Sequence, residues 1–303
     1  MSSRLWRAIA CVASGVALLP AATAGSAHAA ASARAGTAAL PRCEAPFTFH
    51  RTHFPQGPGE GNRWLSLTPG TALVLTGLAE GDDGKLHPHT ITSVVSGVTK
   101  VLDRVRTRIV FERDYQDHKL QESELAFEAA ERSGRVWNVG EYPEEYAHGS
   151  LAGAPDTWIA GLRKARPGIG MLAHPREGTP PYSQGRAPKV GFHDCAQVTR
   201  TNQRVCIPKG CVNHVLIIRE WAPNDRQGGV QLKFYAPRVG AIRVGQVGAG
   251  PSAEKLHLVR HSRLNAAQLR RVDAAVLRQD RRGYHVSPHL YGRTPRARVG
   301  CGH

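Results

Sequence analysis

Eight residues of the chain, Glu141 to His148, hold three carboxylates, two tyrosines and a histidine. On an extended strand, residues i and i+2 share a face about 7 Å apart. Glu122 and Glu124 meet that condition, and Glu141, Pro143 and Glu145 stand in one line. A carboxyl separation of roughly 6.5 to 9.5 Å suits inverting glycoside hydrolysis, with one acid and one base. Glu122, Glu124, Glu141 and Glu145 are therefore the catalytic candidates, and Glu141, Glu144 and Glu145 offer oxygen ligands for Ca²⁺. A solvated strand face gives the same alternation, and the sequence favours that plainer account. His87 and His89 flank Pro88, which favours extended backbone and lets both imidazoles point one way, as zinc or copper ligands do. Surface and hydrogen-bonding roles account for most of the chain's histidines.

Other chemistry is absent from the pattern. Gly149-Ser150-Leu151-Ala152-Gly153 is not a nucleophile elbow, and there is no H-E-x-x-H. Gly245 to Gly250 lacks the strand–helix setting of a dinucleotide fingerprint and reads as a linker. Trp64, Trp137, Trp158, Trp221 and Phe234 are candidates to line an apolar pocket for a small apolar ligand, although each alone is ordinary core.

The elements that must position these residues are short and extended. Leu73–Thr76, Ile91–Val101, Val105–Tyr115 and Leu125–Ala129 read as strands, separated by Gly, Pro, Asp and Asn punctuation. Tyr115 to Tyr146 reads as a meander turning at Asp117-His118-Lys119 and Ser133-Gly134. It places Trp137, Val139 and Glu141 on one face. Residues 151–190, rich in Gly and Pro, read as a long ordered crossing. Strands resume at Val212–Trp221, Val230–Phe234 and Val239–Val244. No helical crossover separates them, so the fold class is all-β, mainly antiparallel, as a strongly curved sheet or partial barrel with one C-terminal amphipathic helix.

Residues 1–29 have Arg4 and Arg7, an apolar run from Ala8 to Leu19 and the small-residue pattern Ala27-His28-Ala29, the marks of a secretory signal peptide. Its apolar run is short of the roughly 18 residues that span a bilayer, and no transmembrane segment is expected after cleavage. Residues 30–61 read as an Ala/Gly/Pro-rich leader, 62–247 as the β-rich domain and 248–303 as a basic tail.

The formal charge of +16 is concentrated in that tail, where residues 251–303 hold eleven Lys and Arg against three acids. Asn265 to Gln268 forms a capping box, with Leu269, Val272, Val276 and Leu277 at helical spacing, predicting a helix over about 266–280. Residues 285–303 read as disordered. A secreted basic tail suits anionic cell-wall or extracellular polymers; without stacking aromatics or a known motif, specific nucleic-acid recognition is not expected. Export makes disulfides the default. Cys206 and Cys211 flank the turn Pro208-Lys209-Gly210 and are expected to pair, with Cys43–Cys195 the next pairing.

Several phrases also carry a resemblance. Trp64-Leu65-Ser66-Leu67-Thr68-Pro69-Gly70-Thr71, Gly134 to Glu141, Gly153 to Trp158, Tyr182-Ser183-Gln184 and Lys233 to Gly240 resemble, as an ordered set, a family of exported bacterial proteins. Its members share a Leu-x-Pro-Gly-Thr opening and a Tyr-Ala-Pro-x-Val-Gly ending. The resemblance covers roughly residues 62–245 and implies an exported β-rich domain with a likeness to curved-sheet lipoprotein carriers. It carries over no activity and no functional residues; the cysteines and the basic tail are peculiar to this chain. Together these features point to an exported binding or structural module. The alternative is an extracellular hydrolase or metal-dependent enzyme built on the acidic meander and nearby histidines.

Overall fold

The computed structural model describes residues 43–44, 47–81, 83–224, 229–247 and 254–300. The expected signal peptide, the start of the leader, residues 248–250 of the Gly-rich linker and Cys301 lie outside the described residues; Gly245, Gln246 and Val247, read with that linker, are strand instead.

Twelve antiparallel strands close into a barrel. In chain order they are β1 (Thr71–Glu80), β2 (Leu86–Leu102), β3 (Val105–Gln116), β4 (Lys119–Ala130) and β5 (Val136–Ala147), then β8 (Arg166–Met171), β9 (Tyr182–Ala187), β10 (Phe192–Ile207), β11 (Gly210–Trp221), β12 (Val230–Ala236), β13 (Gly240–Val247) and β14 (Lys255–Arg263). Each pairs with the next, and β1 pairs with both β2 and β14, which closes the ring. Closure removes the unpaired edges that an open curved sheet would leave. The short strands β6 (Ser150–Gly153) and β7 (Trp158–Ile159) pair with β5, and β15 (Arg298–Val299) pairs with β2.

Tight turns set the long hairpins. Asp103-Arg104 and Asp117-His118 both adopt positive φ, 45° and 65° in the first and 49° and 63° in the second. Two left-handed residues in a row match the twist of the flanking strands, and Asp tolerates that conformation better than most side chains. Cys206 and Cys211 face each other across the β10–β11 hairpin and are bonded, as are Cys43 and Cys195. Both expected pairings are present.

Three segments differ from the sequence-based expectation. Residues 151–190 are not a crossing: they supply β6 to β9, and β8 and β9 are barrel strands. Residues 255–263, grouped with the tail on charge, form β14, because Leu256 and Leu258 point into a buried cluster with Leu75, Ile91 and Val244. The described residues after the helix, 287–300, are ordered. Helix α1 runs Ala266–Val286 and is followed by the short α2 (Pro288–Tyr291) and β15. Leu290 and Tyr291 are buried, and their anchoring is what the Arg-rich composition concealed.

Helix α1 lies against the outer face of β2, β3 and β4. Its capping box is formed, with Asn265 Oδ1 accepting from Gln268 N and Gln268 Oε1 from Asn265 N, both at 2.9 Å. Its buried stripe carries Val276 but also Asp273, Gln279 and Asp280. These polar groups bolt the helix down. Gly97 N donates to Asp273 Oδ1 at 2.7 Å, inside a bulge of β2. Ser123 Oγ donates to Gln279 Oε1 at 2.8 Å, and Lys100 Nζ to Asp280 Oδ1 at 2.7 Å. Arg282 grips Glu144 through Nε at 2.9 Å and Nη2 at 2.5 Å, and the Tyr142 and Tyr146 hydroxyls donate to the same carboxylate.

Candidate functional site

Strand register sorts the acidic residues by face. Leu75, Ile91, Asp114, Glu122 and Glu145 are cross-strand neighbours in one row, and Leu73, Ser93, Glu112, Glu124 and Pro143 in another. Both rows lie opposite the face that α1 covers, so these side chains point into the barrel. A bulge between Phe127 and Glu128 then puts Glu128 opposite Asn138, while Glu141 stays opposite Ala126. This corrects the expected phasing of β5: Asn138, not Trp137 or Val139, shares the face of Glu141. Asn138 Nδ2 donates to Glu141 Oε1 at 2.6 Å, and Trp158 Nε1 to Glu141 Oε2 at 2.9 Å.

The expectation of a solvated acidic face is overturned. Glu124 is 2 % exposed and Glu141 0 %, while Glu122 and Glu145 are half-buried. Burial, with the nearby charges of Glu141, Glu122 and Glu112, holds the Glu124 carboxyl well above the ordinary carboxylate range. Burial raises Glu128 and Glu254 as well. The cavity that Glu112 and Glu128 help line is about 30 Å³, room for a single water. Glu124 and Glu141 are thus brought together as interior groups.

The histidine pair separates. His87 sits between Asp83 and Asp117, each 2.8 Å from a ring nitrogen. Those two contacts raise its pKa. His89 is buried in the barrel with Nε2 2.8 Å from Asp114 Oδ1. Burial disfavours its cation, but the contact with Asp114 and the charges of Asp114 and Glu254 outweigh that, and its pKa is raised. Each imidazole is therefore committed to a carboxylate partner. The one cluster of metal-ligand type among the described residues, Cys43, His193 and Cys195, includes the two sulfurs of a disulfide. Deeper in the barrel, Lys233 Nζ meets Glu220 Oε2 at 2.6 Å, and Gln184 Nε2 donates to Glu220 Oε1 at 3.0 Å.

The five aromatic candidates do not converge. Trp64, Trp137 and Trp158 belong to the main core, Phe234 to the cluster around Leu73 and Leu256, and Trp221 packs with the Cys43–Cys195 bridge.

A groove that sequence patterning did not single out lies between α1 and the barrel. Its floor is two outward rows of the sheet: Arg260, Val74, Thr92 and Arg113 in one, and Ser262, Ala72, Val94 and Phe111 in the other. Its wall is α1, through Arg271, Val272, Ala275 and Arg278, residues that share one helix face. Two adjoining cavities of about 500 and 300 Å³ share Thr92, Val94, Arg271 and Val272 and form one trough. Five arginines, 113, 260, 263, 271 and 278, line it, and among the described residues no acid does. Among the described residues none of these arginines is paired with a carboxylate; Arg263 Nη1 donates to Thr71 Oγ1 at 2.8 Å. The Arg113 guanidinium lies 4.5 Å from the Phe111 ring centroid. The charge count of the tail was legible in sequence. That β14 and β3 add Arg260, Arg263 and Arg113 to the helix arginines was not, because it depends on register.

No protein-family model and no curated protein matches the chain. Two solved structures are similar at 13 % identity, each over 67 % of this chain and 100 % of its own length. One, from Bacteroides fragilis, is inferred to be an exported protein with a YmcC-like fold, at a TM-score of 0.37. The other, from Parabacteroides distasonis, is inferred to be a lipoprotein, at a TM-score of 0.28. No helix of the described residues is long and apolar enough to cross a membrane.

Proposed function

We propose that this chain is an exported binding module that holds an acidic polysaccharide in the groove between α1 and the barrel. One observation carries the reading: five arginines converge on a continuous trough with no acid in its lining among the described residues. Unpaired cations facing each other across a groove raise the local concentration of polyanions and favour their binding by counterion release. A carboxylate- or phosphate-bearing sugar chain fits better than nucleic acid. Phe111, the one aromatic ring of the lining among the described residues, is occupied by Arg113 and offers no free platform for base stacking. Two disulfides and the signal-like residues 1–29 support action outside the cytosol. The bolts from Lys100, Ser123, Glu144 and Gly97 hold α1 in place, so the groove exists before ligand arrives.

The test is binding of the mature chain to polygalacturonate, a phosphate-bearing glycan, neutral dextran and single-stranded DNA across a salt series. The acidic glycans should bind and dextran should not. Arg271→Glu with Arg278→Glu should weaken binding at least tenfold. It should also flatten the dependence of log K on log salt by roughly 0.7 for each arginine that no longer meets an anionic group. Equal binding of dextran, an unchanged salt slope in the double variant, or tighter binding of DNA than of either glycan would overturn the proposal.

A further inference from the structure

We infer that the chain carries a second site, for a small amphipathic carboxylate, in the cavity where β7 and β9 meet the corner between α1 and α2. This site is separate from the arginine groove and does not depend on it. The cavity holds about 180 Å³ and is walled by Trp158, Ile159, Leu162, Ala165, Val190 and Leu290. A comparable dry apolar cavity, engineered in another protein at about 150 Å³, takes up benzene, so a bicyclic ring or short acyl chain matches the space.

The mouth differs chemically from the wall. Arg163, Lys189 and His289 line it, and among the described residues no acid does. Arg163 and Lys189 are exposed and have no charged partner among the described residues. Thr157 Oγ1 donates to Ala154 O at 2.8 Å and lies 3.2 Å from Ser287 Oγ, so both hydroxyl hydrogens are already used and an anionic end is left to the cations. An apolar body with an anionic end satisfies both regions; a neutral hydrocarbon would leave the cations unused, and a polyanion could not enter the wall.

The wall is fixed in advance. Trp158 stacks on Phe192 at 5.0 Å between centroids, and its indole N–H is tied to Glu141. Gly185, at φ 148°, lets the backbone approach the ring so closely that a Cβ there would meet Trp158 carbons at 3.0 Å. Ligand contact with this wall should change indole fluorescence without a conformational rearrangement.

The experiment compares 2-naphthoate with the uncharged 2-naphthalenemethanol by ligand-detected NMR and tryptophan fluorescence. Naphthoate should bind saturably below ~1 mM. It should weaken about tenfold in Arg163→Glu with Lys189→Glu, while the alcohol is unaffected. Val190→Trp, at the half-buried edge of the cavity, should abolish binding of both. Arg271→Glu with Arg278→Glu should leave both unchanged. Thermal unfolding verifies that each variant is folded. No saturable binding of either compound to the folded wild type overturns the site. Naphthoate binding that survives Val190→Trp overturns its location. Equal affinity of acid and alcohol, indifferent to the charge reversal, overturns the anion specificity.

Discussion

Replacing Asp280 by Ala removes one half of a buried ion pair and leaves the other half with nowhere to go. Lys100 and Asp280 side chains are 0 % and 2 % exposed, with Nζ and Oδ1 2.7 Å apart. Breaking such a pair from one side costs about 3–5 kcal/mol, because the surviving charge stays desolvated. Two local features adjust that figure. Lys100 Nζ keeps the Tyr284 hydroxyl at 3.1 Å and sits 4.5 Å from the Tyr291 ring centroid, a cation–π contact worth about 1 kcal/mol. Against it, Asp280 Oδ2 also accepts from Ala297 N at 3.1 Å, and losing that bond costs about 1 kcal/mol. The adjustments cancel, so Asp280→Ala should lose about 3–5 kcal/mol in urea unfolding followed by circular dichroism. The pair Lys100→Met with Asp280→Leu should recover most of it, since both charges then disappear. A loss below about 1 kcal/mol, or a double variant no better than the single, would refute the view that this ion pair anchors α1.

Three further outcomes follow from the same geometry. Glu124 holds its proton above the ordinary value of 4.5, so the folded state binds a proton that the unfolded chain releases. The stability it contributes is complete below 4.5 and is lost as pH rises through the raised folded value; Glu124→Gln should therefore flatten the decline of Tm at rising pH. His89, raised above 6.5, acts in the same direction at higher pH, and His89→Gln should remove a loss of stability that begins above 6.5. The Cys43–Cys195 bridge closes a loop of 152 residues and Cys206–Cys211 one of 5. By loop-closure entropy, Ser pairs at the first should cost about 5 kcal/mol and at the second about 2, measured by denaturant midpoint. Equal costs would show that native-state strain, rather than chain entropy, governs them.

The β class, the hairpin turns, the capping box and the Cys206–Cys211 bridge were legible because each rests on neighbours in sequence; Cys43–Cys195, 152 residues apart, was reached only by pairing the cysteines left over. Short apolar runs between turn residues marked β1 to β3, alternation marked β4 and β5, and Asp117-His118 was read as a turn from its own residues. What stayed hidden depends on partners far along the chain. Glu124 and Glu141 carry the same alternation whether their face is wet or dry; only barrel closure decides that it is dry. Asp273, Gln279 and Asp280 interrupt the apolar stripe of α1 and read as solvent-facing, since Gly97, Ser123 and Lys100, which receive them, lie over 150 residues away. β14 falls with the basic tail on composition because its charges face the groove and its leucines, only two, are too few to signal a strand. Trp158 lies in a segment dominated by Gly and Pro, where neither helical nor strand period can be measured.

The groove and the bolt that holds its wall are consequences of one register. Arg260, Val74, Thr92, Arg113, Ser123 and Glu144 form a single outward row across β14, β1, β2, β3, β4 and β5. At one end the row supplies cations to the trough; at the other, Ser123 and Glu144 receive Gln279 and Arg282 of the helix. A slip of one residue in β3 would exchange Arg113 for Glu112 and place an acid in the trough and a guanidinium among the buried carboxyls. The interior acids are therefore not independent of the exterior arginines. Burying Glu112, Glu124 and Asp114 costs stability, but the alternative pairing costs more on both faces at once, which makes the register that builds the groove the one the barrel can close with.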